Sequence, residues 1–156
     1  MRLVLQVLGV CMLVIVVAAA SGLLVLTHEG TALDSESKAF VDRAVVAIAS
    51  GWSQEQLLSR ASPEFRATTS SSQISGLFET LSLLGAMVEY QGATGEAKIS
   101  YSWGGERSIS ASYIAQARFR NGAATFRITL VKRGNVWMIR SFHVDFAPTT
   151  PTERNT

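Results

Sequence analysis

Few residues in this chain have side chains suited to chemistry, and their types limit what that chemistry would be. Two histidines, His28 and His143, and one cysteine, Cys11, are too few and too scattered to suggest a metal constellation. His143 and Asp145, two residues apart near the end of the chain, would make an acid–base pair if they faced a pocket. Tyr90, Tyr101 and Tyr113 carry hydroxyls able to donate into such a pocket, but each sits where a strand turns toward its core, which reads as packing with a tethered hydroxyl. No G-x-S-x-G context occurs, and Gly104-Gly105 precedes no helix that would make it a phosphate loop. Carboxylates are missing from the strand faces expected to point inward. No catalytic residue, cofactor or metal ligand is therefore assigned.

Charge is the one uneven feature. The net charge of +2 is too small to imply a nucleic-acid partner. Yet Arg107, Arg118, Arg120, Arg127, Lys132, Arg133 and Arg140 follow one another with no Asp or Glu between Arg107 and Arg140. Arg118, Arg120 and Arg127 fall on the outward face of adjacent strands and are expected to cluster. Such a face is a solvated surface that resists edge aggregation, or a docking face for an acidic protein or for anionic headgroups.

The elements that would position these residues centre on 113–146. Asn121-Gly122 suits a two-residue type I′ hairpin, and Gly134-Asn135 marks a second turn, so the stretch predicts three antiparallel strands. Ala117, Phe119, Ala124, Phe126, Ile128 and Leu130 alternate with polar neighbours, as half-buried strands do. In the last strand Trp137 and Ile139 share one parity while Phe142, Val144 and Phe146 share the other. One extra residue near Arg140-Ser141, a β-bulge, would put both sets on one face and turn His143 and Asp145 away from the pocket.

Helices precede the strands. Phe40, Val41, Ala44, Val45 and Ile48 form one face of a helix from about Glu36 to Ser50, with Asp34 or Ser35 as N-cap and Gly51 as its stop. Ser53 with Gln56 opens a short helix, and Ser62-Pro63 restarts the chain with a cap and a proline at N1. Ile74, Leu77, Phe78, Leu81 and Leu84 mark a further amphipathic helix that Gly85 ends. A short strand at Met87–Tyr90, a turn at Gly92–Gly95 and a strand through Ile99, Tyr101 and Trp103 are expected next.

The 156 residues allow one compact domain and an appendage. The appendage is the apolar run Leu3–Leu26, which as a helix would span about 36 Å against a hydrocarbon core of about 30 Å. An uncleaved transmembrane anchor is expected, with Arg2 holding the N-terminus inside and the domain outside, periplasmic or extracellular. The alternative is a signal peptide cleaved after Ala18-Ala19-Ala20, giving a secreted protein. Residues 27–35 read as a linker, 36–146 as the domain, and 147–156, with two prolines, as a disordered tail.

Helices followed by a run of antiparallel strands imply an α+β fold with three helices laid on a curved sheet. In the residues Ala117-x-Phe119, Gly122, Phe126-x-Ile128-x-Leu130, Lys132-x-Gly134, Trp137-x-Ile139 and Phe142-x-Val144, the chain resembles the nuclear transport factor 2-like, or cystatin-like, superfamily of cone-shaped domains. The resemblance implies a cone covering 36–146 and leaves function open, because that superfamily hosts isomerases, dehydratases, transport adaptors and exported bacterial proteins. Two functions follow as expectations. One is a membrane-tethered binding or scaffolding module that engages a protein partner or a second copy through Arg118, Arg120 and Arg127. The other is a small-ligand binder or cone enzyme with Tyr101, Phe119, Phe126 and Trp137 lining its pocket; a pocket filled by those side chains would exclude it. Nucleic acid is disfavoured as a partner.

Overall fold

The computed structural model describes residues 30–148. The expected anchor or signal peptide at 1–26, and residues 149–156 of the expected tail, lie outside the described residues. The chain divides into two compact units, 1–33 and 34–156. Among the described residues no helix is long and apolar enough to cross a membrane.

The fold is α+β. Helix α1 covers residues 30–49, followed by α2 (Gln54–Arg60), α3 (Pro63–Thr68) and α4 (Ser71–Ser82). Four strands then form one antiparallel meander in the order β1-β2-β3-β4: β1 (Met87–Tyr101), β2 (Arg107–Phe119), β3 (Gly122–Arg133) and β4 (Val136–Pro148). The local signals act as their chemistry requires. Ser53, Ser62 and Ser70 each accept a backbone N–H from the first turn of α2, α3 and α4, and Ser70 forms a full capping box with Gln73. Pro63 fills the first turn of α3, where its missing N–H costs nothing.

One face of the sheet is buried. Its inner row on β2 is Ala111, Tyr113, Ala115, Ala117 and Phe119, and on β3 Ala124, Phe126, Ile128 and Leu130. From α1 it receives Val41, Ala44, Val45 and Ile48, and from α4 Ile74, Phe78 and Leu81. Helix α1 runs antiparallel to β1, because Asp34 accepts the Ala97 N–H at 2.6 Å while Asp42, further along the helix, accepts the Tyr90 hydroxyl at 2.6 Å. The junction between α2 and α3 is pinned to β4 by the Ser62 N–H, which donates to the Ile139 carbonyl at 2.8 Å.

The expected bulge is present. Thr129 pairs with Ser141 and the next residue, Leu130, with Ile139, which leaves Arg140 as the extra residue. Trp137, Ile139 and Val144 therefore all face inward, and His143 and Asp145 face outward and are exposed.

Four expectations need correction. Helix α1 starts at residue 30, inside the expected linker, so Asp34 is helical and its carboxylate holds β1 instead of capping the helix. The helix stop is Trp52, not Gly51: Trp52 takes the left-handed φ of 48°, and the Ser53 N–H closes back on the Ile48 carbonyl. The turn expected at Gly92–Gly95 is the body of one long strand, because Gly92, at φ 91°, serves a register shift, and Gly95 lies against the Ser112 carbonyl of β2, where no Cβ fits. The β2–β3 turn is Arg120-Asn121, one residue earlier than expected. Phe119 already pairs with Gly122, whose Cα lies against Ala147 and Leu84, so that glycine answers to crowding.

Candidate functional site

The four residues expected to line one pocket lie in three different places. Phe119 and Phe126 are in the core, where Trp52 stacks on both with ring centroids 5.4 and 6.2 Å apart, and Phe78 closes on Trp52 at 5.7 Å. The space a ligand would need beside Phe119 and Phe126 is thus occupied by an indole. Tyr101 keeps the inward parity that the sequence suggests but is 71% exposed, because β1 runs four residues past Ala97, the point where α1 begins to cover it. Trp137 is buried elsewhere, beneath the β3–β4 turn.

Trp52 is the residue that sequence reasoning missed. It belongs to no periodic face and follows a glycine that looks like the helix stop. A left-handed conformation in a non-glycine residue costs on the order of 1–2 kcal/mol, which the contacts with three phenylalanines offset. Its indole Nε1 is buried without a hydrogen-bond partner among the described residues.

The expected arginine face does not form as a cluster. Arg127 pairs across the strands with Ile114, four residues along β2 from Arg118, a separation of about 13 Å. Arg120 is in the turn. The two strand arginines also have acidic partners: Arg118 meets Glu89 of β1 at 3.1 Å and Arg127 meets Asp145 of β4 at 2.5 Å. The acid-free run from 107 to 140 misled because both partners come from outside it.

An open depression lies instead between α1 and the β3–β4 turn, with a volume of about 480 Å³. Ser35, Glu36, Ala39, Phe40 and Arg43 recur on one helical face and form one wall; Asn135, Val136 and Trp137 form the other. Gly134 supplies the positive φ of 59° that folds the turn back and sets this second wall. Val136, at the rim, is 60% exposed. The floor is apolar, and its electrostatics are partly settled. Lys132 points inward from β3, is only 8% exposed, binds Glu36 at 2.6 Å and sits 5.5 Å over the Trp137 ring. The hydrogen bond and charge of Lys132 hold the Glu36 carboxyl below its ordinary pKa. The Trp137 N–H is close enough to add to this lowering, yet it makes no hydrogen bond of ordinary geometry.

Further along the same helix, Asp42 accepts from Lys38 at 2.8 Å and from Tyr90. Burial works against the Asp42 carboxylate, but those two donors outweigh it and lower its pKa. Burial, then the neighbouring Asp42, pushes the Tyr90 phenol far above its ordinary value. Tyr113 is likewise a tethered core tyrosine, its hydroxyl sharing hydrogen bonds with Ser37 and the Asp34 carbonyl.

Chemically, the groove offers apolar surface, one neutralised carboxylate, the Asn135 amide, and Arg43, which forms no ion pair with any described residue. It lacks a nucleophile with a base beside it. Among the described residues no group of three His, Cys, Asp or Glu side chains is placed to hold a metal ion. This arrangement suits binding: an apolar side chain on the floor, with a carboxylate or carbonyl reaching Arg43 or Asn135. Comparison of the chain with protein-family models, with curated proteins and with solved structures finds no match.

Proposed function

We propose that this chain is a membrane-tethered, extracytoplasmic binding or scaffolding module that engages a protein segment in the groove between α1 and the β3–β4 turn. The observation that carries the reading is the contrast between the aromatic packing around Trp52 and an open, apolar-floored groove edged by Arg43, which forms no ion pair with any described residue. The tether rests on the apolar run Leu3–Leu26, and the outward placement on Arg2 ahead of it. Membership of the nuclear transport factor 2-like superfamily is part of the same proposal, supported by helices that cover one face of a bulged antiparallel meander. Relative to the expectation from the arginines, the docking surface moves from the outer sheet face to the groove. Against the interior-pocket alternative stands the packing of Trp52 on Phe119 and Phe126, two of the residues expected to line that pocket.

The test is partner capture with the full-length chain, crosslinked in membranes and then purified. Val136→Glu and Arg43→Glu should each abolish a crosslinked partner or self-association, while Arg127→Glu on the outer face should leave it intact. Loss with Arg127→Glu alone would return the docking surface to the sheet, and capture unaffected by all three changes would refute the module.

A further inference from the structure

The β1–β2 hairpin extends past everything that covers it. Asp34 touches β1 at Ala97, and β1 then continues four residues to Tyr101, about 13 Å beyond that contact. Ser100 and Tyr101 still pair with Ser108 and Arg107 of β2, whereas the β2–β3 ladder ends at Ile109 and Lys132. The tip is an ordered turn: the Gly105 N–H donates to the Ser102 carbonyl at 2.9 Å, and the Ser102 N–H to the Glu106 carbonyl at 3.0 Å. This turn holds Trp103 fully exposed beside Tyr101, itself 71% exposed. The serines at 100, 102 and 108 and the two glycines add no bulk around them.

The tip also has a defined direction. Because α1 runs antiparallel to β1, the N-terminal end of α1, four residues before Asp34, points toward the hairpin tip, and the chain enters the domain at that end. Seven residues, 27–33, separate Asp34 from Leu26, the last residue of the apolar run. With residues 30–34 helical, the chain from Leu26 to Asp34 spans about 12 Å if the helix continues and at most about 20 Å if it does not. That length is comparable with the overhang of the hairpin beyond Asp34, so the connecting chain is short enough for a bilayer crossed by that run to come within reach of the tip. Tryptophan and tyrosine are the residues that favour this interface, with their rings among the headgroups and their polar atoms wet.

We infer that the β1–β2 tip is a second membrane contact, in which Trp103 and Tyr101 sit in the headgroup layer of a lipid bilayer and steady the domain over its own anchor. The inference rests on the tether proposed above, and one experiment separates the two. The full-length chain is reconstituted into vesicles of phosphatidylcholine and phosphatidylglycerol carrying brominated acyl chains, which quench nearby tryptophan. Of its three tryptophans, Trp52 and Trp137 are shielded by the fold. The wild-type chain should lose a share of emission of the order of one tryptophan, and Trp103→Ser should lose none. Equal quenching in both, or none in either, overturns the hairpin contact, and with it the choice of a bilayer over a protein partner for this tip. Extraction of the same vesicles at high pH reads the tether alone. Retention of both chains supports the tether whatever the quenching shows, and release of both refutes it while Trp103-dependent quenching still upholds the hairpin.

Discussion

Trp52 and Trp137 each bury an indole whose N–H has no hydrogen-bond partner among the described residues, and they do so in opposite settings. Trp52 packs against Phe78, Phe119 and Phe126 and fills the space between those rings. Trp137 lies under Lys132 at the edge of a groove that stays open. The difference comes from what faces each ring. Three aromatic rings from α4, β2 and β3 converge on Trp52, while Trp137 is opposed by a helix face that carries Glu36 and Arg43, whose charges keep the seam solvated. The lesson is that aromatic rings converging from several elements close the space around Trp52, whereas the charged helix face opposite Trp137 leaves a seam open beside it.

The sharpest way to break this comparison is Trp52→Ala. Removing the plug should cost about 3 kcal/mol of stability, read as a shift in the denaturant midpoint. Unchanged stability would mean that Trp52 is not what fills the interior.

A smaller effect is expected at Tyr90, which links α1 to β1 through Asp42. Tyr90→Phe should cost about 1 kcal/mol near neutral pH. The sign of its pH dependence follows from Asp42, whose folded pKa lies below its ordinary value of 3.8. That group's contribution is complete above 3.8 and is lost as pH falls through the folded value. Without the tyrosine hydroxyl the folded pKa moves back up, so the variant should lose less stability on acidification, and the two urea-midpoint curves should converge in acid. Parallel curves would remove Tyr90 from the pair.

The smallest effect on stability belongs to the groove. Val136→Glu adds a charge to an exposed rim and should move stability by less than about 0.5 kcal/mol while abolishing partner capture. A variant that unfolds would show that Val136 supports the fold.

Much of the architecture was legible because its signals are local. The bulge at Arg140 could be read from the parity switch between Ile139 and Phe142, since side chains on a strand must alternate and only an extra residue reconciles the two sets. The serine caps and the stripe of α4 were equally plain. Glycines were the ambiguous letters. Gly92, Gly95 and Gly122 resemble turn residues in sequence, but they serve a register shift and two close backbone approaches that only neighbouring strands create. The candidate site was less legible still. Glu89 and Asp145 reach Arg118 and Arg127 from other strands, and Tyr101 keeps its inward parity where nothing lies above it.

The sequence by itself determined the later helices, the strands from Arg107 onward, their apolar faces and where the last strand must bulge, because periodicity, capping and alternation act over a few residues. Tertiary structure alone decided that Trp52 fills the interior, that the arginines are neutralised and separated, and that a groove opens beside Trp137. Those outcomes depend on which side chains meet across elements far apart in the chain, and local pattern carries no record of such meetings.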